Sequence, residues 1–450
     1  MLSKTKVSVP QLSFFTSLAD QLDQKHPLYI LSNKINWSVF EEAFKIYYSE
    51  KMGKPSKPIR LMVSLLILKH LRNLSDENLV EQWSENIYFQ YFSGEPQFRP
   101  GVPCVPTELV AFRQRIGEPG AELILKESIR INKPEEKDNE GGSSPVALSL
   151  DTTVQEKNIT YPTDDKLYKK IIGRCWKIAK TEGVGLRQSY IRTVRKLCRE
   201  QRMKRTRSGA KAARKADKKI KTIAGRLVRE LGRKLPLERL GVHLPQLKLF
   251  QRVLSQKRND SDKIYSLHEP DVKCHSKGKE HKKYEFGSKV SILVEQQSGI
   301  IVGAINFTQT LHDSKTVPEA LEQYERLNNQ QASEVYVDRG YRGISQYKET
   351  RINVPKPQKN IDKTRRKGHS RRAAIEPVIG HLKSDYRMAR NYLKGILGDM
   401  INVILAAVAM NFKRAMNLWR TEASRSWELI HAFCRMIVYK IFIARCKMTF

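Results

Sequence analysis

VALSLDTTV, residues 146–154, is a short apolar run carrying an acid, and it reads as a buried strand that ends in Asp151. SEVYVD, residues 333–338, repeats the pattern and ends in Asp338. Open α/β sheets place their ligand sites beyond the C-terminal ends of strands, so two acids delivered there are candidates for chemistry. Either acid alone would serve equally well as a turn or helix cap. Between them, EFGSKVSILVEQ and IIVGAINFTQ, joined by a turn at Gln297-Ser298-Gly299, read as a hairpin, followed by a helix over Val317–Asn328. RINVPKP, from Arg351, is a further candidate strand, and residues 370–390 and 396–417 read as helices. Strand, long insert, two strands, helix, strand and helices describe an α/β protein with one large helical insertion.

Upstream, residues 31–130 read as helical throughout. Ser38 with Glu41 predicts a capping box, IRLMVSLLILKHL (59–71) a buried helix, and DENLVEQW and NIYFQYFSG two short helices after it. Short helices joined by tight turns suit a DNA reader of the helix-turn-helix type, and a helical docking or dimerisation domain fits the same pattern. NKPEEKDNEGGSSP then marks a linker, placed at 131–145. The domain organisation read from the chain is a helical DNA-binding domain at 31–130, a catalytic core formed by 146–160 and 262–418, a basic helical insertion at 161–261, and a helical tail at 419–450.

Charge narrows the partner. The chain carries 82 Lys plus Arg against 47 Asp plus Glu, a formal charge of +35. That excess opposes compaction and attracts polyanions, so nucleic acid is the expected partner. Residues 166–258 hold 30 Lys plus Arg against 5 Asp plus Glu. Solvated faces usually mix signs; this stretch does not. Apolar residues recur at helical spacing (Ile220, Ile223, Leu227, Leu231), with a break at Ser208-Gly209, so two or more long basic helices, arranged as a hairpin, are expected. Six scattered cysteines with no CxxC pair favour a reducing cytoplasm. Cys274, His275 and His281 match no common zinc pattern. The longest apolar run, Ile401–Met410, is too short for a bilayer, so a soluble protein is expected.

Glu376 completes a third candidate position. It lies in HSRRAAIEPVIGHLKSD, after the basic loop KTRRKG (363–368). On a continuous helix, Arg372, Glu376 and Lys383 fall within about 40° of one another. Pro377 opposes that continuity, because it lacks an N–H and crowds the carbonyl of Ala373. Phosphodiester cleavage explains why carboxylates are wanted. Two cations about 3.5–4 Å apart activate the attacking oxygen and stabilise the leaving one.

Asp151 in SLDTTV, Asp338 in VDRGYRG and Glu376 in RRAAIEPVIGHLK together resemble bacterial insertion-sequence transposases of the DDE class, IS-five group. Arg372, Glu376 and Lys383 match that class's R-(3)-E-(6)-K spacing, with His369 standing where the motif often has Tyr. FEEAFKIYYSEKMGKPSKPIRLMVSLLILKHLRNLSDENLVEQW and SLHEPDVKC…KYEFGSKVSILV are similar to the group as well. The resemblance covers most of residues 35–415. It implies a ribonuclease-H-like mixed sheet flanked by helices, with the basic insertion between its first two strands. It implies a transposase that cuts at element ends and joins 3′-hydroxyls to target DNA. Asp151, Asp338 and Glu376 would hold two Mg²⁺ ions, for which Mn²⁺ should substitute. Arg372, Lys383, Arg365, Arg366, Lys367 and His369 would contact DNA phosphates. The implied partners are double-stranded DNA, as terminal inverted repeats and target, and a second copy of the chain, with no membrane. A non-catalytic DNA-binding relative and a structure-selective nuclease of the same fold are the competing readings.

Overall fold

The computed structural model describes residues 17–49, 53–133, 146–257, 259–276, 283–355 and 363–447. Most of the linker expected at 131–145 and His281 lie outside the described residues. The chain forms two compact units, one made of residues 1–155, 289–307 and 311–450, the other of 156–288 and 308–310.

The first unit is a mixed sheet with helices packed on it. The strands in chain order are β1 (Ala147–Lys157), β2 (Lys273–Ser276), β3 (Tyr284–Glu295), β4 (Ile301–Phe307), β5 (Glu334–Tyr336), β6 (Gln346–Tyr347), β7 (Thr350–Asn353) and β8 (Arg390–Asn391), of which β2 and the first residues of β3 (284–288) belong to the second unit. Across the sheet the order is β4-β3-β1-β5-β7-β6, with β2 paired to the start of β3 and β8 to β1. The expected hairpin is present: β3 and β4 run antiparallel from Lys289↔Phe307 to Val294↔Ile301. Gly299 turns it with φ +70, a left-handed backbone that a side chain would strain. β1, β5 and β7 are mutually parallel. The crossover helix Val317–Asn328 buries Val317, Ala320, Leu321, Tyr324 and Leu327, an i, i+3, i+4, i+7 stripe, and ends on left-handed Asn329.

Four expectations change. β1 does not end at Asp151 but continues to Lys157, because Thr152, Thr153 and Val154 are β-prone and Thr153 and Val154 are buried. KTRRKG is helical, within Lys363–Arg372; Lys and Arg are good helix formers, and only Gly368 interrupts them. Residues 370–390 are not one helix: Ile375–Ser384 is a separate one, and β8 follows. Ser38 caps nothing, because the helix Trp37–Lys45 has already begun; its hydroxyl bonds Asn36 Oδ1 at 2.7 Å while Trp37 Nε1 anchors the start on the Ser32 carbonyl.

The N-terminal helices follow the pattern closely, at Ile59–Leu71, Asp76–Glu85 and Ile87–Phe92, with Ser75 and Asn86 as N-caps. They share one hydrophobic core with the sheet and with the helix Gly395–Lys447. The segment Gly395–Thr421 of that helix is long and apolar enough to cross a membrane, contrary to the shorter run read from sequence. Val403 to Ala409 are, however, fully buried in the protein core, which accounts for their apolarity.

The second unit is a four-helix assembly: Asp164–Thr181, Ile191–Arg202, Gly209–Lys234 and Leu237–Ser255. Ile220, Ile223, Leu227 and Leu231 pack inward with Ile171, Cys175, Leu197 and Phe250. The expected hairpin is thus doubled. Ser208 precedes the third helix as expected, and Pro236 separates the third from the fourth, since it cannot continue a helix.

Candidate active site

Strand register brings two of the acids together. β1 and β5 are parallel, with Ala147↔Glu334, Leu148↔Val335 and Ser149↔Tyr336. Asp151 and Asp338 each follow the last matched pair, Ser149↔Tyr336, by two residues, and the Asp338 charge bears on the Asp151 carboxyl. β5 ends at Tyr336, so the Asp151 carboxylate has room beside it, although it sits in mid-strand.

Asp151 is largely buried, its side chain 17% exposed. Its Oδ1 accepts from the Thr152 backbone N–H at 2.7 Å, and its Oδ2 accepts from Arg372 Nη2 at 2.9 Å. Burial raises the pKa of its carboxyl more than Arg372 and that N–H lower it; Asp338 and Asp313 add to the rise. Asp338 caps the short turn Arg339–Tyr341, its Oδ1 accepting from the Gly340 N–H at 2.8 Å.

Glu376 is placed differently. Its side chain is 68% exposed, and its link to Asp151 is Arg372, whose Nη1 lies 3.9 Å from Glu376 Oε1. The continuous helix expected across 370–390 breaks at Ala373-Ala374, so Arg372 ends one helix and Glu376 sits in the first turn of the next. Pro377 thereby falls at the third position of a helix, where its missing N–H has no intrahelical partner to lose. Lys383, seven residues beyond Glu376 on the same helix face, lines an open hollow of about 610 Å³ with Asn73, Asp76, Arg387, Arg390 and Tyr392. Arg365, Arg366 and Lys367 are exposed on the preceding helix. His369 is half-buried, edge-on to the Tyr336 ring at 5.2 Å; burial, then Arg372 and Arg365, lower its pKa.

Sequence reading missed three neighbours. Asp313, after β4, accepts from Thr152 Oγ1 at 2.7 Å and Lys289 Nζ at 2.6 Å. Burial would raise its pKa, but those hydrogen bonds and the Lys289 charge bring it below the ordinary value. Tyr341 is fully buried, and burial together with the Asp151 and Asp313 charges holds its phenol well above the ordinary value, so it is a proton donor at neutral pH. Its hydroxyl lies by Thr152 without a hydrogen bond of good geometry, and it has no partner among the described residues. Asp313 in TLHDSK carried the same weak signal as any acid after a strand, and Lys289 and Tyr341 read as ordinary strand and turn residues. Among the described residues, no three His, Cys, Asp or Glu side chains converge as a metal-binding group. The Arg372 guanidinium instead supplies the positive charge beside Asp151.

Residues 16–115 match the family described as "Transposase domain (DUF772)", and residues 260–412 match the "Transposase DDE domain" family. The chain belongs to the DDE transposases of bacterial insertion sequences. Over 178 residues it is 39% identical to an uncharacterized protein of Rhizobium meliloti, ORF8 in the nfe locus, covering 39% of this transposase and 83% of that protein. No solved structure matches the transposase. The DDE match contains Asp338, Glu376 and Asp313; Asp151 and the four-helix unit precede it.

Proposed function

We propose that this transposase cleaves DNA at the ends of its insertion sequence and joins the freed 3′-hydroxyls to target DNA, with Asp151, Asp338 and Glu376 as its metal-holding acids. The observation that supports the reading is that Asp151 and Asp338 lie at the end of the parallel β1–β5 pairing, where the Asp338 charge bears on Asp151, and that Arg372 pairs with both Asp151 and Glu376. The strand order β4-β3-β1-β5-β7 is read as a ribonuclease-H-like core. The donor set suits hard divalent cations such as Mg²⁺ or Mn²⁺, two per site: carboxylates with no thiol or imidazole among them. An orphaned buried hydroxyl on Tyr341, and a space at Gly340 that a Cβ would fill, fit the same reading.

When bound, the cations activate the attacking oxygen and stabilise the leaving one. The chain's own residues supply the rest. Thr152 N–H and Arg372 orient Asp151, and Gly340 N–H orients Asp338. Arg372 neutralises Asp151 and Glu376; transferring it to a DNA phosphate would leave both acids to the cations. Arg365, Arg366, Lys367, His369 and Lys383 are proposed to steady the strand, and the helices of 31–130 to read the terminal repeats. Acting on two ends in concert calls for a homodimer or larger synaptic complex, working in the cytoplasm on the nucleoid.

The test incubates purified protein with Mg²⁺ and labelled DNA carrying the element's ends. Cleavage with strand joining is expected, and Asp151→Asn or Glu376→Gln should abolish cleavage while DNA binding stays near normal. Cleavage without joining would indicate a nuclease. Binding that leaves the DNA intact with every metal would overturn the enzymatic reading, and wild-type cutting by either variant would overturn the triad.

A further inference from the structure

Asp313 lies outside the proposed triad and uses only one of its oxygens in the ion pair that holds it. Its Oδ1 accepts from Thr152 Oγ1 and from Lys289 Nζ, and Lys289 also donates to the Leu311 carbonyl at 2.7 Å. Its Oδ2 turns the other way. A Cβ added to Gly340 would stand 3.0 Å from Asp313 Oδ2 and 3.0 Å from Asp338 Oδ1. Two carboxylate oxygens therefore approach the same side of the Gly340 Cα, which they can do because residue 340 has no side chain.

The charges around Gly340 do not balance. Arg372 neutralises Asp151, and Lys289 bonds the far oxygen of Asp313. Among the described residues, no Lys or Arg pairs with Asp338; its Oδ1 accepts from the Gly340 N–H. Like-charged carboxylates facing one another repel unless a cation lies between them. Tyr341 supplies a second, independent observation. It is fully buried, the charges of Asp151, Asp313 and Asp338 all bear on it, and its hydroxyl has no partner among the described residues. An unpaired buried hydroxyl costs about 1–3 kcal/mol and in native proteins signals a water or an ion.

The geometry points to Asp313 as a fourth carboxylate of the cation site, sharing a divalent ion with Asp338 while the Tyr341 hydroxyl bonds one of that ion's waters. This rests on the reading of Asp151 and Asp338 as metal-holding acids. Oxygen ligands, a water and a space without a side chain are what Mg²⁺ or Mn²⁺ takes. Lys289 and Thr152 then act as positioning residues that fix the orientation of Asp313, as outer partners of metal ligands do.

The test needs no DNA and no turnover: Mn²⁺ is titrated into the whole protein and the free ion is followed by its paramagnetic resonance. Asp313→Asn keeps an oxygen for Thr152 and Lys289 but loses the charge. It should weaken Mn²⁺ binding by about tenfold or more, with Tyr341→Phe weakening it less. Gly340→Ala fills the space without touching the partners of Asp313 and should weaken binding comparably, which covers a failure of Asp313→Asn to fold. Wild-type affinity in either Asp313→Asn or Gly340→Ala, alongside loss in Asp338→Asn, would overturn the role of Asp313 and leave the triad standing. Unchanged affinity in both Asp151→Asn and Asp338→Asn would overturn the metal-site reading itself, and this inference with it.

Discussion

Gly368 shows how one missing side chain sets up the site. A Cβ there would overlap the Tyr336 ring on β5, so only glycine lets the helix Lys363–Arg372 come this close to the sheet. The approach is held by Gln296 Nε2, which donates to the Gly368 carbonyl at 3.0 Å and to Ser149 Oγ on β1 at 2.9 Å. Tyr336 is fixed in turn, its hydroxyl donating to Glu334 at 2.6 Å. Four residues after Gly368, Arg372 reaches Asp151. Gly368→Ala is therefore expected to cost about 1–3 kcal/mol in stability, as overpacking does, measured by denaturant unfolding. It should also lift Arg372 away from Asp151 and slow cleavage. Stability equal to wild type would mean that Tyr336 moves aside freely and that the close approach is not required.

The second unit poses its question at the level of elements. Between 191 and 219 there are 13 Lys and Arg against 2 acids. The helix Ile191–Arg202 buries Val194 and Leu197 and exposes Arg192, Arg195, Lys196, Arg199 and Arg202; among the described residues none of these five makes an ion pair. Cations one helical turn apart stand about 5 Å from one another, a spacing suited to successive phosphates. Replacing Arg192, Arg195, Arg199 and Arg202 with Gln should flatten the salt dependence of DNA binding by about 0.9 in log–log slope for each phosphate that is no longer neutralised. An unchanged slope would make these helices a structural element. Much of this organisation was legible beforehand, because helical periodicity and the β3–β4 hairpin are local signals. The four-helix count was not, and Pro377 opposed a continuous helix around Glu376 without locating the break at Ala373-Ala374. Where one helix stops and the next begins depends on tertiary packing, as the β1 continuation past Asp151 does. Asp151 and Asp338 could be named from their strands, whereas Asp313, Lys289 and Tyr341 become neighbours only through pairings far apart in sequence.

For the whole first unit, stability converges on Asp76. Its carboxylate joins three helices: Lys69 Nζ of Ile59–Leu71 donates to Oδ1 at 2.8 Å, and Arg113 of Pro106–Asn132 donates to both oxygens at 3.0 and 2.6 Å. Lys69 and Arg113 side chains are each 5% exposed, so neither charge has water to fall back on. A few residues away, His70 Nε2 lies 3.2 Å from Asn402 Oδ1, and Asn402 donates to Gln155 on β1 at 2.7 Å, so the same helix is also keyed to the sheet. Burial keeps His70 neutral, lowering it to about 3, and pulls Lys69 down to about 8 against the attraction of Asp76. Burial would raise Asp76, but the Arg113 hydrogen bonds and the Lys69 charge hold it down to about 2 from 3.8. A depressed carboxylate contributes stability that is present above its unfolded-state value and is lost as pH falls through its folded-state value. The Asp76 contribution is therefore complete above about pH 4 and fades towards pH 2, and the shift corresponds to about 2 kcal/mol. Asp76→Asn leaves two buried cations facing a neutral amide, a loss of about 3–5 kcal/mol near neutrality. Chemical unfolding of both proteins from pH 6 to pH 2 should show the gap between them narrowing by about 2 kcal/mol as wild-type Asp76 takes up its proton. A gap independent of pH would mean that the ion pairs are not what joins these three helices, and that apolar packing around Leu79 and Trp83 holds them alone.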